Sequence, residues 1–192
     1  MKKILLISIF ILISALSAQA NEIKRIFVGN ESAKISIIAF ESLTCSYCAK
    51  FHQDVYPLLK KEFLDTGLAK IEFRHFPLDI AAFNASKVAQ CKNDGNLEIL
   101  ESLYANQQKW VKGSSIEEAN INLQKFLSKE GFNIDFESCI NNKQIEDFVL
   151  NDRIDGAKNF KVNATPTIII NNKKFEKTLN YKNLKKALEK LI

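Results

Sequence analysis

Cys45 and Cys48 are the side chains best placed to do chemistry, because only two residues separate them. Two thiols at this spacing can form and break a disulfide, and the thiolate is the form that attacks and leaves. A C-x-x-C can also be half of a zinc site or a structural bridge. Structural zinc needs four ligands, usually as two close pairs, and the sequence has no second close pair of cysteines. The spacing therefore favours redox chemistry.

The elements around this pair decide which sulfur reacts. Residues 35–40 form a β-branched, apolar run that predicts a buried strand. Apolar residues then recur three to four apart, which predicts a helix: Cys48, Phe51, Val55, Leu59 and Phe63. Pro57 predicts a kink in it. A sulfur at the helix N-terminus meets free amides and the positive end of the dipole. Cys45 is therefore the predicted nucleophile, and Cys48, one turn inside, the resolving thiol.

The rest of the chain predicts an α/β protein. Residues 70–76 read as a second strand, and the stretch from 78 to 162 is helical throughout. A third strand, a tight turn at Asn171-Asn172, a fourth strand and a closing helix from Tyr181 follow. Within the helical stretch four helices are predicted, at residues 81–92, 97–110, 115–129 and 136–160; the last two strands are predicted at 167–170 and 173–176.

That order matches a thioredoxin fold with an all-helical insertion, residues 78–162, between the second and third strands. The chain resembles the DsbA-like family of exported disulfide oxidoreductases at residues 42–52 (SLTCSYCAKFH), 73–79 (FRHFPLD) and 164–167 (ATPT). The resemblance implies periplasmic thiol–disulfide exchange and a cis peptide bond before Pro166. It also implies an apolar surface that holds unfolded chains, and a backbone at Thr165 where an extended substrate pairs.

Two features depart from the family pattern. Ser46 and Tyr47 stand between the cysteines, where family members often have Pro and then His or Tyr, and we treat both as modulators of the active site. The family's buried acid, six residues before the first cysteine, is replaced by Ala39, while Glu41 lies on the same strand face. His52 is predicted to be a partly exposed helix residue, with a charge near the dithiol as the alternative.

Residues 1–20 are predicted to be a signal peptide, cleaved after Ala20. A positive start and a short apolar run precede a small-x-small site, and the run is shorter than the about 20 residues that a membrane span needs. Residues 21–192 would form one domain in the periplasm. Removal of Lys2 and Lys3 lowers the formal net charge from +5 to +3, which is too mild to imply nucleic acid as a partner.

Export changes the reading of the other two cysteines. In an oxidising compartment, an even number of cysteines indicates disulfides. We predict that Cys91 and Cys139 form a structural disulfide inside the helical insertion, with two buried free thiols as the alternative.

The predicted function is to introduce disulfides into unfolded or reduced exported proteins, with the Cys45–Cys48 disulfide in place of a cofactor. The resemblance also implies a membrane partner that recycles the pair. One alternative is an isomerase or reductase on the same fold. These enzymes commonly carry an N-terminal dimerisation domain, and only 14 residues lie between Ala20 and Ile35, so we expect a monomer.

The other alternative is a periplasmic copper carrier. Copper(I) favours Cys and Met ligands, and the only methionine, Met1, lies in the signal peptide, so no metal site is expected.

Overall fold

The computed structural model describes residues 22–192, so the predicted signal peptide lies outside the described part. Five strands form one mixed sheet: β1 (Ile26–Gly29), β2 (Ile35–Glu41), β3 (Ala69–His75), β4 (Thr167–Ile170) and β5 (Lys173–Lys174). Their order across the sheet is β1-β3-β2-β4-β5. Strands β2 and β3 are parallel, and the other neighbouring pairs are antiparallel. The mixed sheet with its helices is the thioredoxin fold that the sequence predicts.

Nine α-helices accompany the sheet in this part of the chain. They are α1 (Ser46–Asp54), α2 (Tyr56–Leu59), α3 (Ile80–Gln90), α4 (Glu98–Ala105), α5 (Gln107–Trp110), α6 (Ile116–Lys129), α7 (Phe136–Asn141), α8 (Lys143–Asn159) and α9 (Tyr181–Leu188). A π-helical segment, Lys60–Leu64, continues α2, and a 3₁₀ turn, Glu189–Leu191, follows α9.

Strand β2 is buried on both faces, which explains its unbroken apolar sequence. Ile37 and Ala39 belong to the larger core cluster, whereas Ile38 and Phe40 belong to a smaller one on the opposite face. Helix α8 covers that second face so closely that a Cβ atom on Gly156 would lie 2.8 Å from the Phe40 ring. The central strand is thus packed on both faces, which fixes the position of its C-terminal end.

The sequence prediction missed β1 and therefore numbered the strands wrongly. Strand β1 has only four residues and pairs with β3 at the edge of the sheet, which is too short for a clear alternation. The helical insertion consequently lies between the third and fourth strands. The last predicted strand was also too long, since β5 contains two residues.

Two of the four helices predicted in the insertion are each split in two. The break between α4 and α5 falls at Asn106 (φ −119°, ψ 22°). The break between α7 and α8 falls at Asn142, whose side chain accepts from the amides of Gln144 and Ile145 and so caps α8. The kink expected from Pro57 appears just before it. Helix α1 ends at Asp54, and Pro57 occupies the first turn of α2. Amides in a first turn have no acceptor within the helix, so the missing amide of Pro57 breaks no hydrogen bond there.

Candidate active site

Cys45 lies at the junction of β2 and α1, where it is the N-cap residue of the helix. Its backbone is extended (φ −77°, ψ 118°), and its carbonyl accepts from the amide of Ala49 at 3.2 Å. Cys48 lies one turn into α1 and is completely buried. The two thiols are not bridged, so the structure represents the dithiol form. One sulfur therefore meets the free amides of a helix N-terminus, and the other lies in the core.

The Cys45 sulfur is surrounded by groups that favour its thiolate. The Cys48 side chain donates to it, which is the largest influence, and the backbone amides of Cys48 and Tyr47 add to this. Partial burial opposes them, but the pKa of Cys45 is lowered to about 5. When protonated, the thiol donates to the Thr165 carbonyl at 3.3 Å. At neutral pH, Cys45 is thus mainly in the nucleophilic form.

Cys48 has the opposite environment. Burial raises the pKa of Cys48 far above its usual range, and its hydrogen bond to Cys45 and the charge of Glu41 raise it further. A thiolate at Cys48 is therefore disfavoured while Cys45 carries the charge. The two sulfurs differ in exposure, charge and reactivity although only two residues separate them.

The loop before β4 faces the reactive sulfur because β4 pairs with β2. The register aligns Thr167 with Phe40 near the end of β2, which brings the preceding residues beside Cys45. The peptide bond between Thr165 and Pro166 is cis. Thr167 Oγ1 donates to the Ala164 carbonyl at 2.7 Å and closes the loop. Thr165 and Pro166 are separated by about 120 residues from the cysteines and still form one wall of the site.

A buried polar pair lies behind the dithiol. The Glu41 side chain, with 3% of its surface exposed, lies 2.9 Å from His52 through Oε2 and Nε2. His52 stacks on Tyr104, with ring centroids 4.2 Å apart. The expectation of a partly exposed His52 was wrong, because α1 turns this residue toward β2 and the insertion. The other histidine, His75, is buried at the end of β3 as a structural residue, with Nε2 3.2 Å from Gln90 Oε1.

The helical insertion supplies two side chains that the sequence prediction did not find. Tyr104 of α4 is buried and stacks on His52, and burial, followed by the charge of Glu41, raises the pKa of its hydroxyl. Gln107 of α5 donates through Nε2 to the carbonyls of Leu43 (2.8 Å) and Cys45 (3.0 Å). Both lie about 60 residues from the cysteines in a stretch predicted as one helix. In the sequence, Gln107 is only a glutamine that follows a polar residue, Asn106. Its role at the reactive loop becomes visible only when the fold places α5 beside that loop.

The thioredoxin family model matches residues 21–190. This covers nearly the whole described chain, including the C-x-x-C, the cis-proline loop and the insertion. The chain belongs to the thioredoxin family. Among solved structures, alpha-DsbA1 of Wolbachia pipientis superimposes with a TM-score of 0.77 at 27% identity, covering 87% of this chain and 90% of that one. Together these findings make it a DsbA-like member of the thioredoxin superfamily.

The names of two relatives of this DsbA-like protein refer to disulfide chemistry. Disulfide bond formation protein D of Bacillus subtilis is 26% identical over 174 residues, covering 85% of this chain and 75% of that protein. A Rickettsia typhi protein named as a protein-disulfide oxidoreductase is 25% identical over 171 residues and covers 86% of this chain. The match spans only 61% of that relative's length.

The reactive loop of the DsbA-like chain is bordered by exposed apolar side chains. Ser46 and Tyr47, between the cysteines, are exposed, and Tyr47 presents 73% of its surface. Thr44 Oγ1 donates to Asp79 Oδ2 at 2.7 Å. This bond attaches the loop before α3 to the residue that precedes Cys45, and the exposed Leu78 and Ile80 flank Asp79 in sequence.

The remaining two cysteines lie in the helical insertion. Cys91, at the C-terminal end of α3, and Cys139, in α7, are joined by a disulfide across 48 positions of sequence. The bridge fastens the first helix of the insertion to a later one. In residues 22–192, no group of three or more His, Cys, Asp or Glu side chains is arranged to hold a metal, and no helix there is long and apolar enough to cross a membrane.

Proposed function

We propose that this protein is a thiol:disulfide oxidoreductase that introduces disulfides into exported proteins through Cys45 and Cys48. The observation that carries the proposal is the asymmetry of the pair. Cys45 is partly exposed at a helix N-terminus with its pKa lowered to about 5, whereas burial raises the pKa of Cys48. A low-pKa thiol is a good leaving group, so a disulfide to Cys45 is readily attacked and readily released.

The reaction follows from this arrangement. A thiolate of the substrate attacks the Cys45 sulfur of the Cys45–Cys48 disulfide, and the electron pair of the broken bond goes to Cys48, which takes a proton. A second substrate thiolate then attacks its own sulfur in the mixed disulfide. Cys45 leaves as a thiolate, stabilised by the amides of Tyr47 and Cys48. The substrate loses two electrons and two protons; the enzyme pair gains both electrons and, at Cys48, one proton, and the other proton is released to solvent.

The surroundings of the pair support protein substrates. The Thr165 carbonyl, 3.3 Å from the Cys45 sulfur, is available to an extended segment, and Tyr47, Leu78 and Ile80 offer apolar contacts. A reduced, unfolded chain supplies both an extended backbone segment and apolar side chains. We expect a membrane protein to reoxidise the pair, since each turnover leaves the dithiol form. No bound cofactor takes part in this scheme, because the Cys45–Cys48 disulfide is the oxidant.

Alkylation of the reduced protein tests the assignment. At mildly acidic pH, iodoacetamide should modify Cys45 and leave Cys48 unmodified until the protein is unfolded, as peptide mapping would show. Cys45→Ser should abolish exchange with a reduced peptide. Cys48→Ser should instead accumulate a mixed disulfide at Cys45, because the resolving thiol is missing. Labelling of Cys48 before Cys45 would refute the assignment.

We further propose that the chain is exported to the periplasm and cleaved after Ala20. The motif Ala18-Gln19-Ala20 after a short apolar run supports this. N-terminal sequencing of the protein recovered from the cell envelope should begin at Asn21. A membrane-bound product that begins at Met1 would contradict cleavage without affecting the thiol chemistry.

A further inference from the structure

The helical insertion contacts the backbone of the reactive loop through the side chain of Gln107. With 6% of its surface exposed, Gln107 donates from Nε2 to two carbonyls of that loop, Leu43 at 2.8 Å and Cys45 at 3.0 Å. One amide group thus bridges the residue two positions before the reactive cysteine and the cysteine itself. Both acceptors are backbone atoms, so the contact acts on the course of the loop and leaves the sulfur free.

The Cys45 carbonyl accepts the first hydrogen bonds of the reactive helix, α1. It accepts from the amides of Cys48 (3.1 Å) and Ala49 (3.2 Å), and the Cys45 amide donates to Ser42 at 3.0 Å. The orientation of the peptide plane after Cys45 therefore determines how the amides of Tyr47 and Cys48 face the sulfur. These amides are among the groups that stabilise the thiolate. A third donor on this carbonyl restrains the same plane from the side of the insertion.

Gln107 is itself held in a rigid turn. The chain changes direction at Asn106, whose Nδ2 donates to the Ser102 carbonyl at 3.0 Å. Trp110, buried at the end of α5, donates from its indole to the Leu103 carbonyl at 2.8 Å. These bonds fix the junction of α4 and α5. A side chain on such a junction is pre-organised, so its hydrogen bonds restrain the loop at little cost in entropy.

We propose that Gln107 is a positioning residue that holds the Cys45 carbonyl and thereby tunes the reactivity of the Cys45 thiolate. This inference rests on the proposed function, since it concerns the same dithiol. Without the amide donor, the peptide plane loses one of its restraints and the amides face the sulfur less directly. The positive end of the Gln107 amide dipole is lost from the site as well. Both changes disfavour the thiolate.

The test replaces the donor without changing the length of the side chain. Gln107→Met fills the same space and cannot donate. The neighbouring Gln108→Met is the matched control, because the Gln108 side chain is exposed and makes no hydrogen bond within residues 22–192. We expect the midpoint of Cys45 alkylation against pH to rise by about half a unit or more in Gln107→Met. The equilibrium with glutathione should shift toward the disulfide, and the control should match the wild type.

The readouts separate positioning from simple packing. A lower melting temperature in Gln107→Met with an unchanged alkylation midpoint and glutathione equilibrium would overturn the inference. If Gln107→Met fails to fold, Gln107→Asn carries the test. It keeps the amide but is one methylene too short to reach both carbonyls, so the same rise is expected. If wild-type Cys45 itself shows no alkylation at mildly acidic pH, the proposed function fails. If the wild type reacts and both variants match it, only the role of Gln107 fails.

Discussion

At the scale of single residues, the reactivity of the site depends on the surroundings of the two thiols and of the buried polar groups beside them. The C-x-x-C and its strand–helix context identify Cys45 and Cys48 from sequence alone, because helix geometry fixes which sulfur meets the free amides. The pairing of Glu41 with His52 could not be predicted from the sequence. Whether a histidine on a helix is exposed depends on what the helix packs against, and the stacking partner, Tyr104, comes from the insertion.

The buried pair of Glu41 and His52 leads to a stability prediction. Removing one member of a buried hydrogen-bonded pair leaves the other without its partner, which costs about 1–3 kcal/mol. Glu41→Ala should lower the free energy of unfolding by about that amount in urea. Glu41→Gln should cost much less, because its amide oxygen can still accept from His52. If Gln is as costly as Ala, the charge of Glu41 stabilises the fold more than its hydrogen bond does.

At the scale of elements, the sequence predicts the central strands and long helices better than the junctions. Strand β2 is buried on both faces and therefore has an unmistakable apolar run, whereas the four residues of β1 give no such signal. The breaks at Asn106 and Asn142 were missed because the apolar spacing continues across them. Asparagine is a common cap, but a cap inside a periodic stretch becomes visible only when the helices on either side separate.

The disulfide between α3 and α7 leads to a prediction at this scale. It closes a long loop, and the chain-entropy model gives a stabilisation of about 4 kcal/mol for such a loop. Cys91→Ala with Cys139→Ala should therefore lower the free energy of unfolding by about 2–4 kcal/mol, as measured in urea. The rate of exchange at Cys45 should remain near that of the wild type, because neither Cys91 nor Cys139 is among the groups that lower the pKa of Cys45. A large loss of exchange in a folded double variant would show that the bridge also supports the site.

At the scale of the whole molecule, the insertion forms the back of the active site. Tyr104 and Gln107 reach the dithiol from α4 and α5, and Asp79 binds Thr44 from the start of α3. The order of the elements predicts the thioredoxin fold, and with it the approach of β4 to β2. It does not predict which side chains of a helical insertion face the sheet, because this depends on the orientation of each helix.

The stability of the whole protein should depend on its redox state in a way that changes with pH. The pKa of Cys45 falls from its ordinary value of 9.0 in the unfolded chain to about 5 in the folded, reduced protein. The resulting stabilisation is fully present above pH 9.0 and is lost as the pH falls through about 5. The oxidised protein has no such contribution, since neither sulfur titrates. Its advantage is the cross-link of four residues, about 2 kcal/mol at any pH.

These two contributions oppose each other, so the pH decides which form is more stable. At neutral pH, the Cys45 thiolate should prevail and the reduced protein should melt at the higher temperature, which makes the disulfide an oxidant. Above about pH 9, this order weakens again, because burial keeps Cys48 protonated in the folded protein while it ionises in the unfolded chain. Near pH 5 and below, the thiolate contribution is lost and the cross-linked form should melt last. Thermal melts of both forms across this range test the order, with Cys45→Ala as the control whose melting temperature lacks the Cys45 contribution to this pH dependence. A clearly more stable oxidised form at neutral pH would mean that the pair acts as a reductant or a structural bridge.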